Sequence, residues 1–288
     1  MIPAAFEYHR PSSVDEVLRL LQRLPDAKLL AGGHSLLPMM KLRVVSPPHV
    51  IDLGRLRELR GIREESGQIV IGALTTHWQI VSSDLIRDAL PLLAETAACI
   101  GDIQVRNAGT VGGSLVHADP AADYPASVLA LEAEMAVRGP KGLRLIPARE
   151  FFTGVLRSAV APDEILTEMR VPIPREGTGT AYLKFAHPAS GFAVVGVAAW
   201  VRRRGGRFDE VRVSLTGVGP TAYRAHAVER ALAGKAADEA TIAVASGRAV
   251  DGVEANDDVF ATAAYRSHLA RVFTTRALGT ALERTGGD

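Results

Sequence analysis

The sequence contains a single cysteine, Cys99, among 288 residues. One thiol cannot form an internal disulfide. It also cannot hold an iron–sulfur cluster, because such clusters usually take four cysteine thiolates. The small, apolar neighbours of Cys99 predict a buried thiol that acts as a small hydrophobic side chain. Any redox chemistry of this chain therefore needs a bound organic cofactor or centres on another chain.

Aromatic residues and excess charge are also scarce. Aromatic residues make up 5% of the chain and the formal net charge is +1, which disfavours a nucleic-acid partner. No run reaches the ~18 apolar residues of a membrane span. The first residues, MIPAAFEYHRPSS, lack the cationic start and apolar core of a secretory signal, so we expect a cytoplasmic protein.

Helical and strand patterns alternate irregularly along the chain, without the uniform βα units of a doubly wound sheet. Ser13 and Glu16 predict a capping box before a helix. A longer helical pattern is interrupted near Ser82–Ser83 and at Pro91. Later, two apolar strands flank the turn RRRGGR, and a long amphipathic segment follows. The Pro/Gly/Thr-rich stretch 172–180 predicts a boundary between domains at 1–176 and 177–288.

Two glycine clusters share one design, in which a glycine pair lies next to hydroxyl residues. In the first, Gly32 and Gly33 follow an apolar strand and precede His34 and Ser35; in the second, TVGGS, the pair is Gly112 and Gly113. Exposed N–H groups in such loops form a concave nest that attracts phosphate oxygens. The two clusters together predict a diphosphate-binding cradle. For either cluster alone, a simple turn remains the alternative.

Standard nucleotide signatures are missing. The chain has no G-x-x-x-x-G-K-[ST] segment, and AGGHSL lacks the third glycine of G-x-G-x-x-G. No pair of histidines shows metal-ligand spacing, so the sequence predicts no metal site. Asp123 either caps a helix or reaches a sugar hydroxyl, and Asp119 precedes Pro120 in a predicted turn. Lys184 is a lone cation in an apolar strand, and taken alone it is predicted to face solvent.

In order along almost the whole chain, the sequence resembles the FAD-binding medium subunit of the molybdenum hydroxylases, the carbon monoxide dehydrogenase and xanthine dehydrogenase family. The segments that carry the resemblance include AKLLAGGHSLLPMMKLR, QVRNAGTVGGSLVHADPAADYP and YLKFAHPASGFAVVGVAA. Two positions depart from it. His117 stands where many relatives carry asparagine or another polar residue, and Phe192 stands where some carry tyrosine.

The resemblance implies an α+β fold. A vanillyl-alcohol-oxidase (PCMH)-type FAD-binding domain of two α+β subdomains would be followed by a small α+β C-terminal domain. It also implies that two loops contact the FAD diphosphate and that four other residues approach the flavin. The first loop comprises Leu29, Leu30, Ala31, Gly32, Gly33, His34, Ser35 and Leu36. The second comprises Thr110, Val111, Gly112, Gly113 and Ser114, and the four further residues are Ile100, Asp123, Leu166 and Lys184.

The resemblance further implies an oxidoreductase subunit that carries electrons on non-covalent FAD, with no catalytic acid or base of its own. The molybdenum cofactor would lie on a large molybdopterin-binding subunit and the 2Fe-2S clusters on a small subunit, in a dimer of heterotrimers. A self-contained flavin oxidase or reductase of the same fold is the alternative. A third possibility is an interaction subunit that has lost its flavin, and the intact glycine loops argue against it.

Overall fold

In the computed structural model, which describes residues 1–286, the N-terminal region forms a three-stranded parallel sheet of order β1-β3-β2. Its elements are β1 (Glu7–His9), α1 (Val14–Arg23), β2 (Lys28–Leu30), α2 (Leu36–Lys41) and β3 (His49–Asp52). The apolar face of α1 packs with Ile51 and Leu53 in one core cluster. Among the described residues, β1 is an edge strand that pairs with β3 alone.

The predicted cap of α1 is confirmed, with one difference in its second half. The Ser13 hydroxyl accepts a hydrogen bond from the Glu16 N–H at 3.2 Å. The Glu16 carboxylate, however, accepts from the N–H of Ser12 at 2.7 Å rather than from that of Ser13. The Glu16 N–H of the first helical turn is thus satisfied, and the second bond of the motif falls one residue before the cap.

A second region contains a five-stranded antiparallel sheet of order β4-β5-β10-β6-β7, with helices inserted between its strands. Its elements are β4 (Ile62–Glu65), β5 (Gln68–Gly72), α3 (His77–Ser82), α4 (Asp84–Ala89), α5 (Pro91–Ala98), α6 (Ile103–Ala108), α7 (Val111–His117), α8 (Tyr124–Ala130), β6 (Glu134–Gly139), β7 (Gly142–Pro147), α9 (Ala148–Phe151), β8 (Phe152–Gly154), β9 (Arg157–Ser158) and β10 (Ile165–Pro172). The predicted helix breaks are confirmed. Ser83 ends α3 and caps α4, and Pro91 is the first residue of α5.

The third region is a four-stranded antiparallel sheet of order β11-β12-β13-β14, covered by helices. Its elements are β11 (Thr178–Ala186), β12 (Ala193–Arg204), β13 (Arg207–Thr216), β14 (Tyr223–Arg224), α10 (His226–Leu232), α11 (Glu239–Ser246) and α12 (Ala263–Glu283). The predicted RRRGGR hairpin is confirmed. Gly205 and Gly206 both have positive φ, as its tight turn requires.

The mixed α+β fold expected from the sequence is confirmed. The hydrophobic core of the second region includes Tyr182, Ala198 and Trp200 from β11 and β12, so the second and third regions share packing. The predicted boundary falls between β10 and β11 and stays a proposal. Within residues 1–286, no helix combines the length and apolar character needed to cross a membrane.

Candidate functional site

The first glycine loop connects β2 to α2 and leaves its backbone donors open. Gly33 has φ +77°, a conformation that side-chain-bearing residues rarely adopt. Within the described residues 1–286, the N–H groups of residues 32–36 donate to no acceptor. Ser35 precedes α2 but makes no side-chain capping bond. The loop thus presents a row of unused N–H donors, the arrangement that binds anionic oxygens.

The second glycine cluster is built differently, because its N–H groups already have partners. Val111 donates to the Thr75 carbonyl at 3.0 Å and Gly112 to that of Ala73 at 2.9 Å. Gly113 donates to the Thr110 hydroxyl at 3.1 Å, which caps α7. The nest predicted for this cluster is therefore not formed by these groups. They dock the start of α7 onto the chain that follows β5.

The two clusters nevertheless lie against each other, as their matching design predicts. A Cβ added to Gly32 would lie 2.7 Å from the Cα of Gly109 and closer still to the Ala108 carbonyl oxygen. A Cβ on Gly113 would lie 3.7 Å from that of Ala31. Gly32 thus lets the two backbones approach, and the open loop is supported by the segment that leads into α7.

A buried histidine lies beneath the second cluster. The backbone N–H of His77 donates to the Gly109 carbonyl at 3.0 Å. The ring Nδ1 of His77 lies 3.2 Å from the Tyr124 hydroxyl. Burial, together with the nearby charges of His34 and Arg106, lowers the pKa of His77 to about 4. His77 is therefore neutral at physiological pH, while His34 in the first loop is exposed.

Asp123 and Lys184 form a buried ion pair. The Lys184 Nζ lies 2.8 Å from Asp123 Oδ2, and each side chain is only 4% exposed. The same ammonium donates to the Cys99 carbonyl at 2.9 Å, and the Tyr182 hydroxyl donates to Asp123 Oδ1 at 2.6 Å. Burial raises the pKa of Asp123, which the Lys184 charge and these hydrogen bonds oppose. The pair is neutral as a whole, and it fixes the position of the Lys184 ammonium.

These contacts decide the alternatives for two residues. Asp123 precedes α8 but makes no side-chain capping bond, so the capping interpretation is wrong. Lys184 is not solvent-facing, because its charge is paired inside the protein. The interpretation of Asp119 as a turn residue is confirmed by its carboxylate, which accepts from the Ala121 N–H at 2.8 Å.

The remaining candidates lie around this pair and the two clusters. Ile100 follows α5 and its carbonyl accepts from Arg106 at 2.8 Å. Leu166 lies in β10 with its side chain in the core, and the carbonyl of the next residue, Thr167, accepts from the Ala73 N–H.

The prediction for Cys99 is wrong: the cysteine is exposed, because it ends α5 at the surface.

Two tyrosines hydrogen-bond to residues of the site, and they were not predicted from the sequence. Tyr182 and Tyr124 are buried and hydrogen-bond Asp123 and His77 respectively. Burial raises the pKa of both well above its ordinary value, so both keep their hydroxyl protons. A usable signal existed for Tyr182, since it lies two residues before Lys184 and strand alternation places both on one face.

The chain is similar to known proteins over almost its whole length. Residues 4–174 match the family described as "FAD binding domain in molybdopterin dehydrogenase", and residues 180–281 match "CO dehydrogenase flavoprotein C-terminal domain". The chain is 44% identical to the carbon monoxide dehydrogenase medium chain of Hydrogenophaga pseudoflava, covering 99% of both chains. It is 30% identical to the xanthine dehydrogenase FAD-binding subunit of Escherichia coli O157:H7, covering 97% of each.

The fold is similar as well. The chain superposes on a chain of the solved structure of carbon monoxide dehydrogenase from Hydrogenophaga pseudoflava that lacks the Mo-pyranopterin moiety. The TM-score is 0.96 at 46% sequence identity, and the match covers 99% of both chains.

Proposed function

Because this chain belongs to the family of FAD-binding medium subunits of the carbon monoxide dehydrogenase and xanthine dehydrogenase group, we propose that it is the FAD-binding electron-transfer subunit of a heterotrimeric molybdenum hydroxylase. It takes electrons from the 2Fe-2S clusters of a small subunit and passes them to an external acceptor. A large molybdopterin-binding subunit oxidises the substrate, and the complex is a dimer of heterotrimers in the cytoplasm.

The observation that carries this proposal is the open row of N–H donors at residues 32–36. A diphosphate needs several donors at close range, and side chains at Gly32 and Gly33 would disturb the packing that holds these donors in place. A Cβ at Gly33 would lie 2.8 Å from the Leu37 side chain, and one at Gly32 would meet the backbone of the second cluster. The cradle therefore fits a diphosphate-containing cofactor such as FAD.

The proposed roles follow from the contacts. The first loop, residues 29–36, binds the diphosphate through its backbone N–H groups. The second, residues 110–114, supports that loop and offers the Thr110 and Ser114 side chains, since its own N–H groups are used internally. Asp123 holds the Lys184 ammonium in one place. We assign this ammonium, Ile100 and Leu166 to the flavin side of the site.

For electron transfer, this chain needs to bind and position FAD. FAD, when bound, supplies the redox chemistry, and the protein supplies binding, orientation and electrostatics. The single cysteine of the chain agrees with iron–sulfur clusters on a partner. Its relatives are named as subunits of a carbon monoxide dehydrogenase and of a xanthine dehydrogenase. Similar subunits thus occur in enzymes with different substrates, which agrees with a substrate that binds on another subunit.

The test is to purify the full chain alone and with its two proposed partner chains. We expect a yellow protein whose FAD is released by heat denaturation, as non-covalent binding requires. In the assembled complex, substrate oxidised at molybdenum should bleach the flavin absorption, whereas the isolated chain should oxidise no small substrate. A colourless protein that rejects added FAD would contradict the proposal. Turnover of small substrates by the isolated chain would instead favour a self-contained flavin enzyme.

A further inference from the structure

Three metal-ligating side chains converge on the N-terminal sheet, near the start of its parallel strands, whereas the first glycine loop follows the end of β2. Glu7 and His9 are alternate residues of β1, and His49 is the first residue of β3. The parallel register pairs Glu7 with His49 and His9 with Ile51. Because side chains alternate between faces and paired residues share a face, all three project from the same side of the sheet.

Their ligand atoms form a small triangle. His9 Nε2 lies 3.3 Å from His49 Nδ1. His49 Nδ1 lies 3.3 Å from Glu7 Oε2, and His9 Nε2 lies 3.9 Å from the same oxygen. Within residues 1–286, this is the only trio of His, Cys, Asp or Glu whose ligand atoms all lie within 4.8 Å of one another.

Two of these separations match the edges of a zinc coordination tetrahedron, and the third, at 3.9 Å, involves the exposed side chain of Glu7. Zinc binds imidazole nitrogen and carboxylate oxygen at about 2.0–2.2 Å, which puts neighbouring ligand atoms about 3.3–3.6 Å apart. Two imidazoles and one carboxylate form a ligand set that suits zinc better than calcium or magnesium, which prefer oxygen. Three protein ligands leave the fourth position to water.

The surroundings hold the ligands and allow entry. The side chains of His9 and His49 are 24% and 19% exposed, so the sheet orients both rings, whereas that of Glu7 is 73% exposed and faces solvent. The neighbouring Tyr8 and Arg10 do not compete for Glu7. Both contact Asp52, which alternates onto the other face of β3.

We propose that Glu7, His9 and His49 form a zinc-binding site that ties the edge strand β1 to β3. The sequence predicted no metal site because it was judged by spacing along the chain, and His9 and His49 lie 40 residues apart. The parallel pairing of the two strands brings them together. The zinc site does not depend on FAD binding.

The experiment uses the full-length chain, stripped with a chelator and titrated with Zn²⁺ against a chromophoric zinc indicator at neutral pH. We expect one Zn²⁺ per chain. The variants His9→Gln and His49→Gln should each weaken binding at least about tenfold, since even the loss of a ligand's supporting contact has that effect. The matched control is His226→Gln. His226 is an exposed histidine that also contacts a glutamate, Glu229, and its loss should change nothing.

A second measurement separates metal loss from misfolding. Zn²⁺ should raise the Tm of the wild type and of the control, because a ligand of the native state stabilises it. It should not raise the Tm of the histidine variants. Glu7→Gln changes an exposed side chain and should fold normally with weaker zinc binding. Equal zinc binding by wild type and by the His9→Gln/His49→Gln double variant would mean that the trio is only hydrogen-bonded, and would overturn the proposal.

Discussion

The two glycine clusters share a glycine pair and have opposite hydrogen-bonding states. In AGGHS the N–H groups of Gly32 to Ser35 donate to no acceptor among residues 1–286. In TVGGS they donate to Ala73, Thr75 and Thr110. Glycine also serves two purposes, since Gly33 has a positive φ whereas Gly112 lets a helix approach the backbone at Ala73. A shared glycine motif therefore identifies two segments that meet, but not which of them is open to a ligand.

The largest contrast is expected from Gly33→Val, which should abolish FAD binding. The valine side chain would crowd Leu37 and displace the loop that carries the donor row, and the φ of +77° should cost about 1–2 kcal/mol of stability. FAD content after purification and FAD titration measure the effect. The matched control is Gly67→Val, with φ +75° and no atom within 4 Å of the added Cβ. It should be destabilised similarly and remain yellow. A fully flavinated Gly33→Val protein would place the diphosphate elsewhere.

Acidification should weaken the structure around the closed cluster, through His77. Its pKa in the folded protein is about 4, against about 6.5 in an unfolded chain. Between these values the unfolded state binds more protons, so the free energy of unfolding falls as the pH falls. The loss should approach about 3 kcal/mol, measured by denaturant titrations across this range.

His77→Gln should flatten that part of the pH profile, and His226→Gln, at an exposed histidine, should leave it unchanged. If the slope survives in His77→Gln, another group carries the pH dependence.

Gly112→Ala should act on stability rather than on FAD. The new methyl group would lie 2.6 Å from the Ala73 Cβ in a buried position, an overpacking that typically costs about 1–3 kcal/mol. Denaturant unfolding measures the loss, and the folded variant should retain its FAD affinity. Gly279→Ala is the control. It lies inside α12 with no atom near the added Cβ, so it should stabilise the protein by up to about 1 kcal/mol.

The smallest contrast compares the hydroxyl groups at the two helix starts. Thr110→Ala removes a capping bond to Gly113 and should cost about 1 kcal/mol. Ser35→Ala removes no capping bond and should change stability by less than about 0.5 kcal/mol. Thermal unfolding of the FAD-free proteins measures both. Equal losses would contradict the open state of the first loop.

Local sequence patterns predicted much of the fold. The features that they did not predict depend on contacts between residues distant in the sequence. The helix breaks at Ser83 and Pro91 and the Gly205–Gly206 hairpin depend on neighbouring residues, so the sequence reveals them. The partner of Asp123 is Lys184, 61 residues away, and no local pattern distinguishes a buried ion pair from a helix cap. The prediction for Cys99 was wrong because its apolar neighbours say nothing about which side of a helix end meets solvent.

The contact of Gly32 with Ala108 and Gly109 also sets an order of events during synthesis. The open loop leaves the ribosome long before the segment that supports it, by several seconds at about 5–20 residues per second. The loop lacks this supporting contact until the segment at Ala108 and Gly109 has been synthesised and packs against Gly32. A nascent chain stalled before residue 108 should therefore not capture FAD, and cofactor loading belongs to the late, long-range stage of folding.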